Sequence, residues 1–155
     1  MWSFLNIFSA SRNHHQAELS ANATVIGNEQ LLALIGQGEE NLIVFDLRGS
    51  ADVQRFPSII PGALLTTRVS LLEMADWIPP RAIVVLYGAG QINNHAEQIE
   101  RLPRDAHFYL LEGGVKSWCQ ARFPMEPVNG VFVAEPPTVW SRDFERIQMD
   151  EAGDA

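Results

Sequence analysis

A chain of 155 residues, 46% of them hydrophobic, is long enough for one compact domain with a real core. Its formal net charge of −8 and isoelectric point near 4.9, with no basic run anywhere, exclude the clustered Lys and Arg of a nucleic-acid footprint. The single cysteine, Cys119, excludes an intramolecular disulfide and argues strongly against a zinc site.

Residues 1–22 carry Trp2, Phe4, Leu5, Ile7 and Phe8, but no basic leader and no continuous apolar run. They are expected to form a flexible N-terminal segment rather than a secretion signal. No apolar run approaches the roughly 20 residues that span a bilayer. Together with the scarcity of cysteine, this points to a cytoplasmic protein. The His14–His15 pair has no further ligand nearby in sequence, so no metal site is expected there.

Thr24 to Gly27 reads as a short strand. Asn28 to Gly38 reads as a helix, with Asn28 as its N-cap and Leu31, Leu34 and Ile35 on one face. Asn41 to Gly49 is a continuous apolar run closing on Asp46 and Arg48. Runs of this kind, apolar without alternation, suit a parallel strand buried on both faces. Ser70 to Pro80 is the clearest helix: Ser70 and Glu73 have capping-box spacing, and Leu71, Met74, Ala75 and Ile78 share one stripe. Ala82 to Tyr87 is the next strand, His95 to Pro103 a short helix, His107 to Glu112 another strand, and Val115 to Arg122 a final helix. Asn93 and Asn94 are cap-type residues at the start of the third helix. Beyond Pro124, Trp140, Phe144 and Ile147 fall on one helical face and are expected to dock part of an otherwise disordered tail.

Strands alternating with short helices imply an α/β domain with a largely parallel sheet, whose ligands bind outside the strands' carboxyl ends. Those ends hold Asp46 and Arg48, the loop from Tyr87 to Asn93, and Gly113–Gly114. The loop invites two readings. Gly88-x-Gly90 between a strand and a helix, with Glu112 ending the next strand, matches part of a dinucleotide fingerprint. Asn93 stands at the third glycine position, however, and the chain after Gly90 is short for a full nucleotide-binding sheet.

The order Asp46-Leu47-Arg48, Ile60-Pro61-Gly62-Ala63, Ile83 to Gly90, Leu111-Glu112-Gly113-Gly114 and Trp118 resembles the rhodanese-like family, over residues 24–124. The resemblance implies a single domain over residues 23–124, built on a five-stranded parallel sheet with helices on both faces, with 125–155 as a tail. It also implies sulfur transfer through a persulfide on a cysteine at the end of the central strand, stabilised by loop amides and a helix N-terminus. Laid without gaps, the family motif puts Tyr87 at the cysteine position. A shift of one residue puts Gly88 there. Neither carries sulfur, and the related phosphatase chemistry lacks both its loop cysteine and its closing arginine. Ile59 replaces the histidine that often precedes the Ile-Pro-Gly-Ala turn, and Asp52 is placed at that segment's acidic position.

The loop Tyr87, Gly88, Ala89, Gly90, Gln91, Ile92 and Asn93 is therefore expected to be a silent active-site cradle, with no catalytic residue, metal or cofactor. Asp46, Arg48, Gly113 and Gly114 are expected to be structural. Cys119, on a stripe with Val115 and Trp118, is expected to be a core cysteine. Tyr87 is expected to fill space rather than attack, since a phenol needs a basic neighbour to ionise. The expected function is a binding or regulatory module that contacts a partner protein or a small anion through loop amides. The alternative is a sulfurtransferase with Cys119 as a displaced persulfide carrier. A nucleotide binder through Gly88 and Gly90 comes third.

Overall fold

The computed structural model describes residues 23–90, 105–138 and 140. The elements run β1 (Ala23–Ile26), α1 (Asn28–Gly36), β2 (Leu42–Asp46), α2 (Ser50–Arg55), β3 (Ser58–Ile59), β4 (Leu64–Leu65), α3 (Arg68–Met74), a 3-10 turn (Ala75–Trp77), β5 (Ile83–Tyr87), β6 (His107–Leu111), α4 (Gly114–Gln120) and β7 (Glu126–Pro127). Five strands form one sheet in the order β1-β6-β5-β2-β4, and every neighbouring pair is parallel. The central strand is β5, and every residue from Ile83 to Tyr87 is buried. The continuous apolar composition follows from this position, because both faces of the strand are covered.

Register brings the chemistry to one end. Asp46 lies opposite Tyr87 on one side and Leu65 on the other. Beyond the strands, the Leu47 amide donates to Tyr87 O at 2.8 Å and the Thr66 amide to Asp46 O at 2.9 Å, so the ladder continues into the loops. The Ile60-Pro61-Gly62-Ala63 segment is a tight turn, in which the Ala63 amide donates to Ile60 O at 3.0 Å and Gly62 has φ 79°. Proline then glycine at the two central positions is what a type II turn demands.

Two caps differ from expectation. Gly27, not Asn28, is the N-cap of α1, and Gln30 Oε1 accepts from the Gly27 amide at 2.8 Å. The Asn28 side chain instead donates to Ser117 Oγ at 2.8 Å, a tertiary contact that took the residue out of capping. The helix α3 starts earlier than the Ser70–Glu73 spacing suggests. Thr67 is its N-cap, accepting from the Ser70 amide at 3.1 Å, while Glu73 is exposed. The stripe Leu71, Met74, Ala75 and Ile78 is buried as expected. The helix expected at 95–103 lies outside the described residues, as do 1–22, Phe144 and Ile147.

The segment after α4 is bound to the body at several points. Trp118, fully buried, donates to Pro124 O at 2.8 Å and meets Phe123 edge-on. Strand β7 pairs antiparallel with β3, and the Val133 amide donates to Leu65 O at 2.7 Å at the sheet edge. Trp140 is buried and packs edge-to-face on Phe45 with ring centroids 5.8 Å apart. Trp140→Ala should therefore lower stability to urea by about 3 kcal/mol, the usual cost of emptying a buried aromatic site. A loss below about 1 kcal/mol would place Trp140 outside the cooperative core.

Candidate functional site

At the strand ends, Asp46 and Arg48 form a buried pair. Arg48 Nη2 meets Asp46 Oδ2 at 2.8 Å, Nε reaches both carboxylate oxygens at 3.0–3.1 Å, and the Arg48 amide donates to Oδ1 at 3.0 Å. The guanidinium also donates to Phe56 O at 2.8 Å and Ser58 O at 2.7 Å. Its donors are thus directed to the chain between α2 and β3 rather than to solvent.

Tyr87 is fully buried, and its hydroxyl accepts from the Ile60 amide at 3.2 Å. Burial, and then the negative charge of Asp46, push its ionisation far above the ordinary phenol range. A phenol in that position stays neutral at any physiological pH and has no means to attack a substrate. Thr66, also fully buried, donates its hydroxyl to Val133 O at 2.6 Å.

The loop after β5 is a packing seam on α4. Gly88 O accepts from the Val115 amide at 3.0 Å and Ala89 O from the Lys116 amide at 3.1 Å. Gly113 and Gly114 both have positive φ, and a Cβ on Gly114 would lie 2.5 Å from Gly88 O and 2.6 Å from Gly90 O. Only glycine lets these two backbones approach so closely. Gln91, Ile92 and Asn93 lie outside the described residues, as does His95. Among the described residues, no group of three or more His, Cys, Asp or Glu could hold a metal ion, and no helix is long and apolar enough to cross a membrane.

Beside this seam a cavity of about 370 Å³ opens between α2 and α4, lined by Arg55, Phe56, Ala89, Val115, Lys116 and Cys119 among others. Cys119 is exposed on its wall, which corrects the expectation of a core cysteine. The buried stripe of α4 runs through Gly114, Val115 and Trp118, and Cys119 sits one position past it, turned about 100° toward the cavity. The cavity itself escaped sequence reasoning, since it joins residues from three separate stretches. Asp52, placed in sequence at an acidic position, lies on its rim.

No protein-family model matches the chain, and no curated protein matches its sequence. Solved structures do match in shape. A protein of unknown function from Rhodopseudomonas palustris, named a possible tyrosine phosphatase, is 23% identical with a TM-score of 0.53, covering 75% of this chain and 96% of its own. The rhodanese-like domain of an Anabaena protein is 20% identical with a TM-score of 0.54, over 67% of this chain and 79% of that one. A thiosulfate sulfurtransferase from Pseudomonas aeruginosa is 24% identical with a TM-score of 0.58, covering 72% of this chain but only 21% of the larger enzyme.

The fold is rhodanese-like. The strand order β1-β6-β5-β2-β4 agrees with it, and it is not the order of a dinucleotide-binding sheet. Setting the chain against the rhodanese-like structures puts Thr66 at the position equivalent to the catalytic cysteine, in place of the expected Tyr87 or Gly88. The strand order separates the two positions: Thr66 follows the edge strand β4, while Tyr87 closes the central strand β5. Neither residue carries a thiol, and the hydroxyl of each is buried and hydrogen-bonded within the protein.

Two tests bear on this geometry. Gly114→Ala should cost about 2 kcal/mol or more, through the clash with the loop and a left-handed backbone. Gly36→Ala, whose Cβ would meet nothing within 4 Å, should change stability by less than about 1 kcal/mol. The second test is alkaline. Below pH about 10, Tyr87 keeps its proton in both the folded and unfolded chain, and its contribution to stability is complete. As pH rises further only the unfolded chain ionises, so stability falls. Unfolding curves between about pH 9 and pH 11 should show this fall, and Tyr87→Phe should flatten it. Tyr109, also raised by burial, adds slope of the same sign.

Proposed function

We propose that this chain is a rhodanese-like binding module without sulfur-transfer catalysis, and that its ligand or partner meets the face at the strands' carboxyl ends. One observation carries the reading: the strand-end position expected to hold a nucleophile holds a buried, neutral hydroxyl already committed to a backbone partner. Asp46 and Arg48 act as the structural clamp of that face, and Gly113–Gly114 as the contact that seats the loop. A reducing compartment, such as the cytoplasm, is the setting that suits a chain with one exposed thiol.

A second reading draws on the exposure of Cys119. A thiolate there would attack the outer sulfur of thiosulfate, break its S–S bond, release sulfite and keep a persulfide, which cyanide would remove as thiocyanate. Against it, Cys119 stands in the last turn of α4, outside the loop and at the wrong end of its own helix for the dipole to stabilise the anion.

Intact-mass measurement after incubation with thiosulfate or a persulfide donor, with and without cyanide, separates the two. The binding-module reading expects no added sulfur and no thiocyanate. A gain of one sulfur that cyanide removes, and that is absent from Cys119→Ser, would make Cys119 a sulfur carrier and overturn it.

A further inference from the structure

We infer that the cavity between α2 and α4 is a binding site for a small amphipathic anion, an apolar ring or chain bearing one carboxylate or sulfonate. The inference rests on the binding-module reading and supplies the chemistry of its ligand. The cavity's volume of about 370 Å³ lies at the lower end of sites that enclose small molecules, roughly 300–1,000 Å³. That is more room than a bare inorganic anion fills.

The walls divide by chemistry. Phe56, Val115 and Ala89 present apolar surface, and Val115 is buried. Lys116 and Arg55 stand at the solvent edge, both exposed. Asp52 is the acidic residue in the lining, 3.9 Å from Arg55 and itself partly exposed, too loose and too wet a pair to cancel the guanidinium. Arg48 adds no net charge, because Asp46 neutralises it and its nitrogens serve Phe56 O and Ser58 O. The rim therefore carries two cations against one carboxylate in a chain of net charge −8. A local positive edge on an acidic protein selects for an anionic group, and the apolar walls select for the body behind it.

Cys119 makes the site measurable, since it lies on the cavity wall and is the chain's single cysteine. The probe is anilinonaphthalene sulfonate, with phenylnaphthylamine as the same rings without charge and inorganic sulfate as the charge without rings. Fluorescence titration yields the Kd of the probe, and iodoacetamide alkylation of Cys119 reports whether the cavity is filled. At a concentration four times its Kd the sulfonate should slow alkylation about fivefold, as mass action requires of a ligand that covers the thiol. Arg55→Glu combined with Lys116→Glu, both at exposed positions, should weaken the sulfonate about tenfold and leave phenylnaphthylamine unchanged. Ala89→Trp, which fills the cavity from the exposed side of the loop, should abolish protection while the melting transition remains cooperative.

Undiminished alkylation under saturating sulfonate would overturn the assignment. So would equal protection by phenylnaphthylamine, which would mean a site indifferent to charge, or equal protection by sulfate, which would mean one indifferent to the rings. Failure of the underlying reading looks different: a persulfide on Cys119 sinks the binding module whether or not the sulfonate protects, whereas lost protection without a persulfide sinks only the ligand assignment.

Discussion

The buried Asp46–Arg48 pair is the constraint on which the site end of the molecule depends. Taking two opposite charges out of water costs several kcal/mol for each ion, and their attraction returns this only when the remaining hydrogen-bonding capacity is met. Here it is met by geometry. The carboxylate takes the Arg48 amide, Nε and Nη2, and the guanidinium reaches on to Phe56 O and Ser58 O. A charge pair that began as a strand-end motif thus becomes a clamp on the chain between α2 and β3. Strand β7 pairs with β3, and the Val128 amide donates to Pro57 O at 3.0 Å, so the segment after α4 is held by the same clamp at one remove. The cavity owes its fixed wall at Phe56 to this arrangement.

The seam between the β5 loop and α4 is the complementary constraint. The carbonyls of Gly88 and Ala89 accept from the first turn of α4, and Gly114 is pressed against the backbone of Gly88 and Gly90. Tyr87 fills the strand end and ties Ile60 to it. The strand end is filled by packing and satisfied hydrogen bonds, and the open volume lies to one side, against α2.

Much of the fold was legible in the sequence because it rests on local rules. Uninterrupted apolar runs marked β2 and β5 as buried strands. Pro61–Gly62 announced a tight turn, and the spacing of Leu71, Met74, Ala75 and Ile78 announced the inward face of α3. The caps were less legible. Gly27 and Thr67 do what Asn28 and Ser70 were expected to do, because several cap-competent residues stand side by side and a tertiary partner, Ser117 for Asn28, decides among them. Cys119 was misplaced for a related reason. Helical spacing groups it with Val115 and Trp118, but a stripe has two edges, and only the neighbouring element decides which is covered.

By itself, the sequence determined the alternation of strands and helices, the parallel sheet, the strand ends that carry Asp46, Arg48 and Tyr87, and the absence of a thiol from the loop. All of these are set by residue type and periodicity over a few positions. Only the tertiary structure decided that Arg48 serves the backbone at Phe56 and Ser58, that Tyr87 meets Ile60, and that Cys119 faces an open cavity shared with Arg55 and Lys116. Those facts depend on which faces of distant segments come together, and burial or exposure is a property of that meeting rather than of any segment alone.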